Sequence, residues 1–212
     1  MCCLFGFVDY AGSLSVKQRN RLIRELSIAA EARGTDATGI AYNTSRGLQV
    51  YKRPLAAHRL HLRIPAEARA VMGHTRMTTQ GSAKKNYNNH PFFGHVKEES
   101  FALAHNGVLW NDLELRHAKH LPRTKVQTDS YIAVQLLEQK KSLDFDSLRY
   151  MAEQVEGSFS FTVLDEQSAL WIVKGDSPLS IAYFPERGVY VYASTVEILN
   201  KALTRCGKQL GH

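Results

Sequence analysis

Cys2 is the residue whose type and position point to chemistry first. Removal of Met1, common when the second residue is small, would leave a thiol and a free α-amine on one residue. With ordinary pKa values of about 8 for the amine and about 8.5 for the thiol, nucleophile and base exchange protons near neutral pH without a histidine. Alone, a second-position cysteine reads as a buried or incidental thiol, because free Cys is among the most buried residue types. Cys3 and Cys206 add neither an even disulfide framework nor a paired ligand spacing. The nine histidines do not pair with them at metal-ligand distances in sequence, so no metal or organic cofactor is expected.

The elements that must position such a residue follow from periodicity. Cys3 to Asp9 is apolar and rich in strand formers, and Gly12-Ser13 turns the chain into Val16 to Arg33, where Leu22, Leu26 and Ala29-Ala30 recur at helical spacing. Gly34 ends that helix. Gly39 to Tyr42 and Leu48 to Lys52, joined through Asn43 to Gly47, read as a hairpin. Val71-Met72 and Phe101 to Ala104 read as buried strands, and the polar stretch Gln80 to Asn89 between them as a surface loop. Thr128-Asp129-Ser130 offers capping oxygens before a helix over Tyr131 to Gln139, with a second helix over Leu143 to Val155. Gly157 to Leu164, Ala169 to Lys174, Leu179 to Phe184 and Val189 to Tyr192 read as an antiparallel run of four strands, closed by a helix from Thr195 to Leu203. Strands and helices without βαβ regularity and without a linker argue one α+β domain over residues 2–212.

Composition narrows the class. A chain of 212 residues, 44% hydrophobic and 22% charged, is long enough for a substantial core and unlike a disordered segment. No apolar stretch approaches the roughly 18 residues of a membrane span, and Met1 to Tyr10 carries no basic residue of the kind that opens a secretory signal, so a cytoplasmic location and no membrane partner are expected. The net charge of +7 could suit nucleic acid, yet the cations are scattered, with no aromatic and basic interleaving. A solvated basic surface is the plainer reading and a nucleic-acid partner is not expected.

Four segments read together are more specific than any alone: Cys2 to Gly6, Gly73-His74-Thr75-Arg76-Met77-Thr78-Thr79-Gln80-Gly81, His105-Asn106-Gly107 and Gln127-Thr128-Asp129-Ser130. In this order and spacing they resemble the class II glutamine amidotransferases. These N-terminal nucleophile enzymes include the glutaminase domains of glucosamine-6-phosphate synthase and amidophosphoribosyltransferase. Arg33 to Asp36 with Gly39-Ile40, His90-Pro91, Gly175 to Leu179 and Ala193-Ser194 extend the likeness to about Ala202. The resemblance implies a four-layer αββα sandwich of two mainly antiparallel sheets.

It also implies roles. L-Glutamine arrives as a zwitterion, so its site needs a cation for the carboxylate and an anion for the ammonium, which the resemblance assigns to Arg76 and Asp129. Without the other motifs, a structural Arg–Asp ion pair would be the better reading. Asn106 and Gly107 match the family's oxyanion hole, although Asn-Gly alone would read as a turn. Met77, Thr79 and Gln80 fall in the segment beside the substrate. Met77 and Gln80 stand where familiar synthase domains carry Trp and His, and Cys3 where Gly is usual, with room to be tolerated or to crowd the nucleophile. His74 and His105 are expected to be structural, and His90, before a proline, structural or in contact with that loop.

No acceptor domain for ammonia is recognisable in the sequence. Expected partners are therefore L-glutamine as substrate and a separate synthase subunit as acceptor. A free-standing hydrolase of another γ-glutamyl amide, or a silent glutamine-binding module on the same fold, are the alternatives.

Overall fold

The computed structural model describes residues 2–207. β1 (Cys3–Asp9) is the hub, paired antiparallel on one side with β4 (Ala70–Arg76) and on the other with β10 (Val189–Ala193). Beyond β4 lie β2 (Ala37–Thr44) and β3 (Gly47–Arg53), and beyond β10 lies β9 (Ser180–Phe184), giving a six-stranded sheet in the order β3-β2-β4-β1-β10-β9. A four-stranded sheet, β5-β6-β7-β8, contains β5 (Phe92–His95), β6 (Ser100–Leu109), β7 (Gly157–Asp165) and β8 (Leu170–Lys174). All pairings are antiparallel.

Side chains alternate across each strand, and this sorts the apolar residues into three cores. On β1, Cys3, Phe5 and Phe7 face a core with Leu22, Ile23 and Leu26 of α1 (Val16–Ala30) and with Leu199 and Leu203 of α5 (Val196–Cys206). Leu4 faces the other way, joining Met72, Ala102, Ala104, Leu164 and Tyr192 between the sheets. On the far side, Phe101, Leu103, Phe161 and Val163 pack under α3 (Tyr131–Lys140) and α4 (Phe145–Gln154), represented by Leu136, Leu137 and Met151. The layers are therefore helix, sheet, sheet, helix. A short helix, α2 (Asp112–Ala118), follows β6.

Local expectations fared unevenly. The first helix begins as its periodicity indicates, with Ser15 and Gln18 forming a reciprocal capping box, but it stops at Ala30 and continues to Arg33 as a tighter 3-10 turn. Thr128 to Ser130 do not cap α3: Ser130 is already helical in φ and ψ and makes no side-chain cap. The four late strands are not one run. β7 and β8 belong to the smaller sheet and β9 and β10 to the larger, with the chain crossing between sheets around Gly175 to Leu179. The stretch Gln80 to Asn89 is at the surface only in part, since Asn88 and Asn89 are fully buried and find hydrogen bonds inside.

Candidate active site

The register places Cys2. Cys3 pairs with Thr75 and the offset is antiparallel, so Cys2 stands beside Arg76 at the end of β4. Its thiol is partly exposed and lies 3.6 Å from the Met77 carbonyl oxygen. Burial raises the thiol pKa, while the hydrogen bond to Met77 and the charge of Arg76 pull it back down. Cys3 does not crowd this thiol, because strand alternation sends its side chain into the core beneath α1. There burial pushes its own pKa up to about 11.

Arg33, on the 3-10 turn after α1, ties the two sheets together at this point. Its Nε donates to the Cys2 carbonyl at 2.8 Å and its Nη2 to Asn106 Oδ1 at 3.4 Å. Asn106 comes from β6 and is buried. With its oxygen committed to Arg33, its Nδ2 amide has no hydrogen-bond partner among the described residues. A buried donor of this kind ordinarily finds a partner, so an unpaired one calls for an acceptor from outside the chain. Asn106 and Gly107 are not a turn. They lie within β6, opposite Ser160 and Phe159 of β7. Gly107 has φ of +146°, and a Cβ there would run into the Ser158 carbonyl oxygen. Only glycine fits this backbone.

Arg76 and Asp129 both act electrostatically on Cys2, but they form no ion pair with each other among the described residues. Arg76 is buried at 3% exposure. Its Nη1 donates to Asn89 Oδ1 at 2.7 Å and its Nη2 to the carbonyls of Gln80 at 2.5 Å and Gly81 at 2.9 Å. Asp129 accepts from the Leu109 amide at 2.6 Å and from Ser130 Oγ at 3.3 Å, and no cation forms an ion pair with it among the described residues. Gln80 links the two through its side chain, whose Oε1 accepts from the Asp129 amide at 3.2 Å. Met77 is half exposed and Thr79 exposed, on the rim beside Cys2. Thr78 is anchored by its amide, which donates to Asp36 Oδ2 at 2.7 Å.

Behind this rim is a polar layer made of the three histidines expected to be structural and of Lys52, which the sequence did not single out. Lys52 Nζ donates to the carbonyls of Asn89 and Pro91 at 2.5 and 2.9 Å, which fixes the residue that holds Arg76. Burial pulls its pKa down to about 8. His74 and His105 are buried and join the sheets, His74 Nε2 lying 3.0 Å from the His105 carbonyl. His105 Nδ1 is 2.8 Å from Ser130 Oγ. The His90 ring sits tilted between His74 and Phe92, with centroids 4.2 and 4.3 Å away. Burial lowers the pKa of all three, to about 3 for His74 and about 4 for His105. No group of three His, Cys, Asp or Glu side chains is arranged to hold a metal among the described residues.

Two sheets sandwiched between helices, with a cysteine at the head of a central strand, define an amidotransferase of the N-terminal nucleophile type. Comparison with known proteins agrees: a family model described as a glutamine amidotransferase domain matches residues 74–201, and the chain belongs to the class II glutamine amidotransferase family. The glutamine–fructose-6-phosphate aminotransferase of Bacillus licheniformis is 31% identical over 184 residues, 83% of this chain and 30% of that protein. That of Thermus thermophilus is 33% identical over 173 residues, 78% of this chain and 27% of that protein. The chain thus spans about 30% of the length of these relatives. In fold it is similar to the glutamine phosphoribosylpyrophosphate amidotransferase of B. subtilis, with a TM-score of 0.70 at 21% identity, covering 95% of this chain and 43% of that one. A structure described as the allosteric regulatory enzyme of purine biosynthesis gives a TM-score of 0.75 at 20% identity with the same coverage.

Proposed function

We propose that the chain is a single glutaminase domain that hydrolyses the side-chain amide of L-glutamine, with Cys2 as nucleophile and its own α-amine, freed by loss of Met1, as base. The observation that carries this reading is the buried, unpaired Asn106 Nδ2, whose partner oxygen is held by the same Arg33 that fixes Cys2. Attack of the thiolate on the amide carbon builds an oxyanion, and Asn106 Nδ2 with the Gly107 N–H are its donors. Ammonia leaves with a proton from the Cys2 ammonium, a γ-glutamyl thioester remains, and water activated by the same amine releases glutamate. Arg76 attracts the substrate carboxylate, and Asp129, which has no ion-pair partner among the described residues, takes the ammonium. Met77, Thr79 and Gln80 form the near wall.

Released ammonia passes to an acceptor on a separate synthase subunit, a role that the relatives, more than three times as long as the matched segment, leave to the part of their own chains outside it. No helix among the described residues is long and apolar enough to cross a membrane, and the three cysteines are unpaired, as suits the cytoplasm. Intact mass before and after treatment with diazo-oxo-norleucine, beside Cys2→Ala, tests the proposal. Mature protein lacking Met1 and a single adduct absent from the variant are expected. Mature protein that never acquires the adduct would sink it.

A further inference from the structure

Away from this site, a groove of about 740 Å³ runs between the first half of α1 and the segment 60–63. Lys17, Arg21 and Arg24 project from the helix and His61 and Arg63 from the facing segment, all exposed, and no carboxylate lines the groove. The nearby acid, Glu25, is mostly buried and lies 3.8 Å from Arg24 and 3.7 Å from Arg205. The walls are fixed to each other: Asn20 Nδ2 donates to the Ile64 carbonyl at 3.0 Å and the Ile64 amide donates to Asn20 Oδ1 at 2.9 Å. Arg21 is pinned by a 2.6 Å bond to the Arg205 carbonyl. Leu60 and Leu62 supply an apolar surface between the cations.

A fixed cleft lined by charges of one sign concentrates counter-ions. Its volume is that of a small-molecule site, and three guanidinium groups with a lysine favour a multiply charged oxyanion with three or more acceptor oxygens, such as a phosphate, over a single carboxylate. No Phe, Tyr or Trp lines it, so a stack of nucleic-acid bases has no platform. We infer that this groove binds a small phosphorylated organic anion, with its phosphates on Arg24, Arg63 and Lys17 and its apolar part on Leu60 and Leu62.

Titration calorimetry of the full chain with ATP as the probe, without magnesium, tests this. The expected result is saturable binding with Kd of about 1 mM or below. It should weaken at least about tenfold in the double charge reversal Arg24→Glu/Arg63→Glu. The reversal Lys84→Glu/Arg123→Glu makes the same change in net charge outside the groove and should leave the affinity within about twofold, as expected for remote charges screened by salt. Both pairs are exposed, so neither should unfold the protein. Absence of saturable binding, equal loss in the two double variants, or tighter binding of a single-stranded oligodeoxythymidylate than of ATP would each overturn the inference.

Discussion

Asn106 carries the strongest expectation at the scale of single residues, because its two amide atoms have different tasks. Oδ1 is held by Arg33, and Nδ2, buried without a partner among the described residues, is the donor we propose for charge that develops only during reaction. Asn106→Ala should therefore lower kcat by roughly 10² to 10³ with KM little changed, since the lost bond is worth most in the transition state. Steady-state glutamate release measures both parameters. Asp129→Asn should behave oppositely. The amide keeps an oxygen for the Leu109 N–H but loses the charge proposed to attract the substrate ammonium, so KM should rise about tenfold or more and kcat fall less. The sequence offered Cys2, Arg76, Asn106, Gly107 and Asp129 as candidates, because their types suit the chemistry and their motifs occur in family order. It assigned no role to Arg33 or Lys52. Their partners are backbone and amide oxygens 31 to 73 residues away, contacts that exist only once the sheets are paired.

Between residue and fold, β6 is the element on which the site depends most. It brings Asn106 and Gly107 to the sheet interface, and its pairing with β7 is so close at Gly107 that no side chain is accommodated. Gly107→Ala should strain the backbone by about 3 kcal/mol, lowering the melting temperature by roughly 5–10 °C. It should also remove most activity by moving the adjacent amide, which calorimetry and turnover measured on the same sample would show. The long, periodic elements were readable: β1, α1, α3 and α4 each carry enough apolar residues at one spacing. β5, with four residues, and α2, with seven, are too short to display a period, and neither was anticipated. Sheet membership was also hidden. β7 to β10 look alike locally, and only the crossing at Gly175 to Leu179, where the Gly175 and Ser177 amides both donate to the Phe159 carbonyl, sends two of them to the other sheet. Capping failed for a local structural reason, because Ser130 is already helical and its Oγ serves His105 and Asp129 instead of the helix end.

Taken whole, the molecule joins its two sheets through an apolar centre around Leu4, Met72, Ala104 and Tyr192 and through a polar seam of three histidines beside the site. That seam makes the sandwich sensitive to acid. In the unfolded chain each histidine takes up a proton near pH 6.5, whereas burial holds His74 neutral to about 3, His105 to about 4 and His90 well below its ordinary value. The unfolded state therefore binds more protons as pH falls through 6.5, so the stabilisation is present in full above that pH and is lost progressively toward pH 4. Each histidine contributes a slope of up to about 1.4 kcal/mol per pH unit. Urea midpoints should fall accordingly between pH 6.5 and 4.5, and His74→Gln, whose Nε2 keeps a donor near the position of the ring Nε2 that meets the His105 carbonyl, should flatten the slope by about one proton. Because the apolar centre draws on both sheets, tryptophan fluorescence and far-ultraviolet dichroism should report one transition at every pH, the outcome expected when both sheets unfold together. A midpoint that stays level across this range would mean that the histidines are solvated and charged in the folded protein. Two separate transitions would mean that the sheets unfold as independent units.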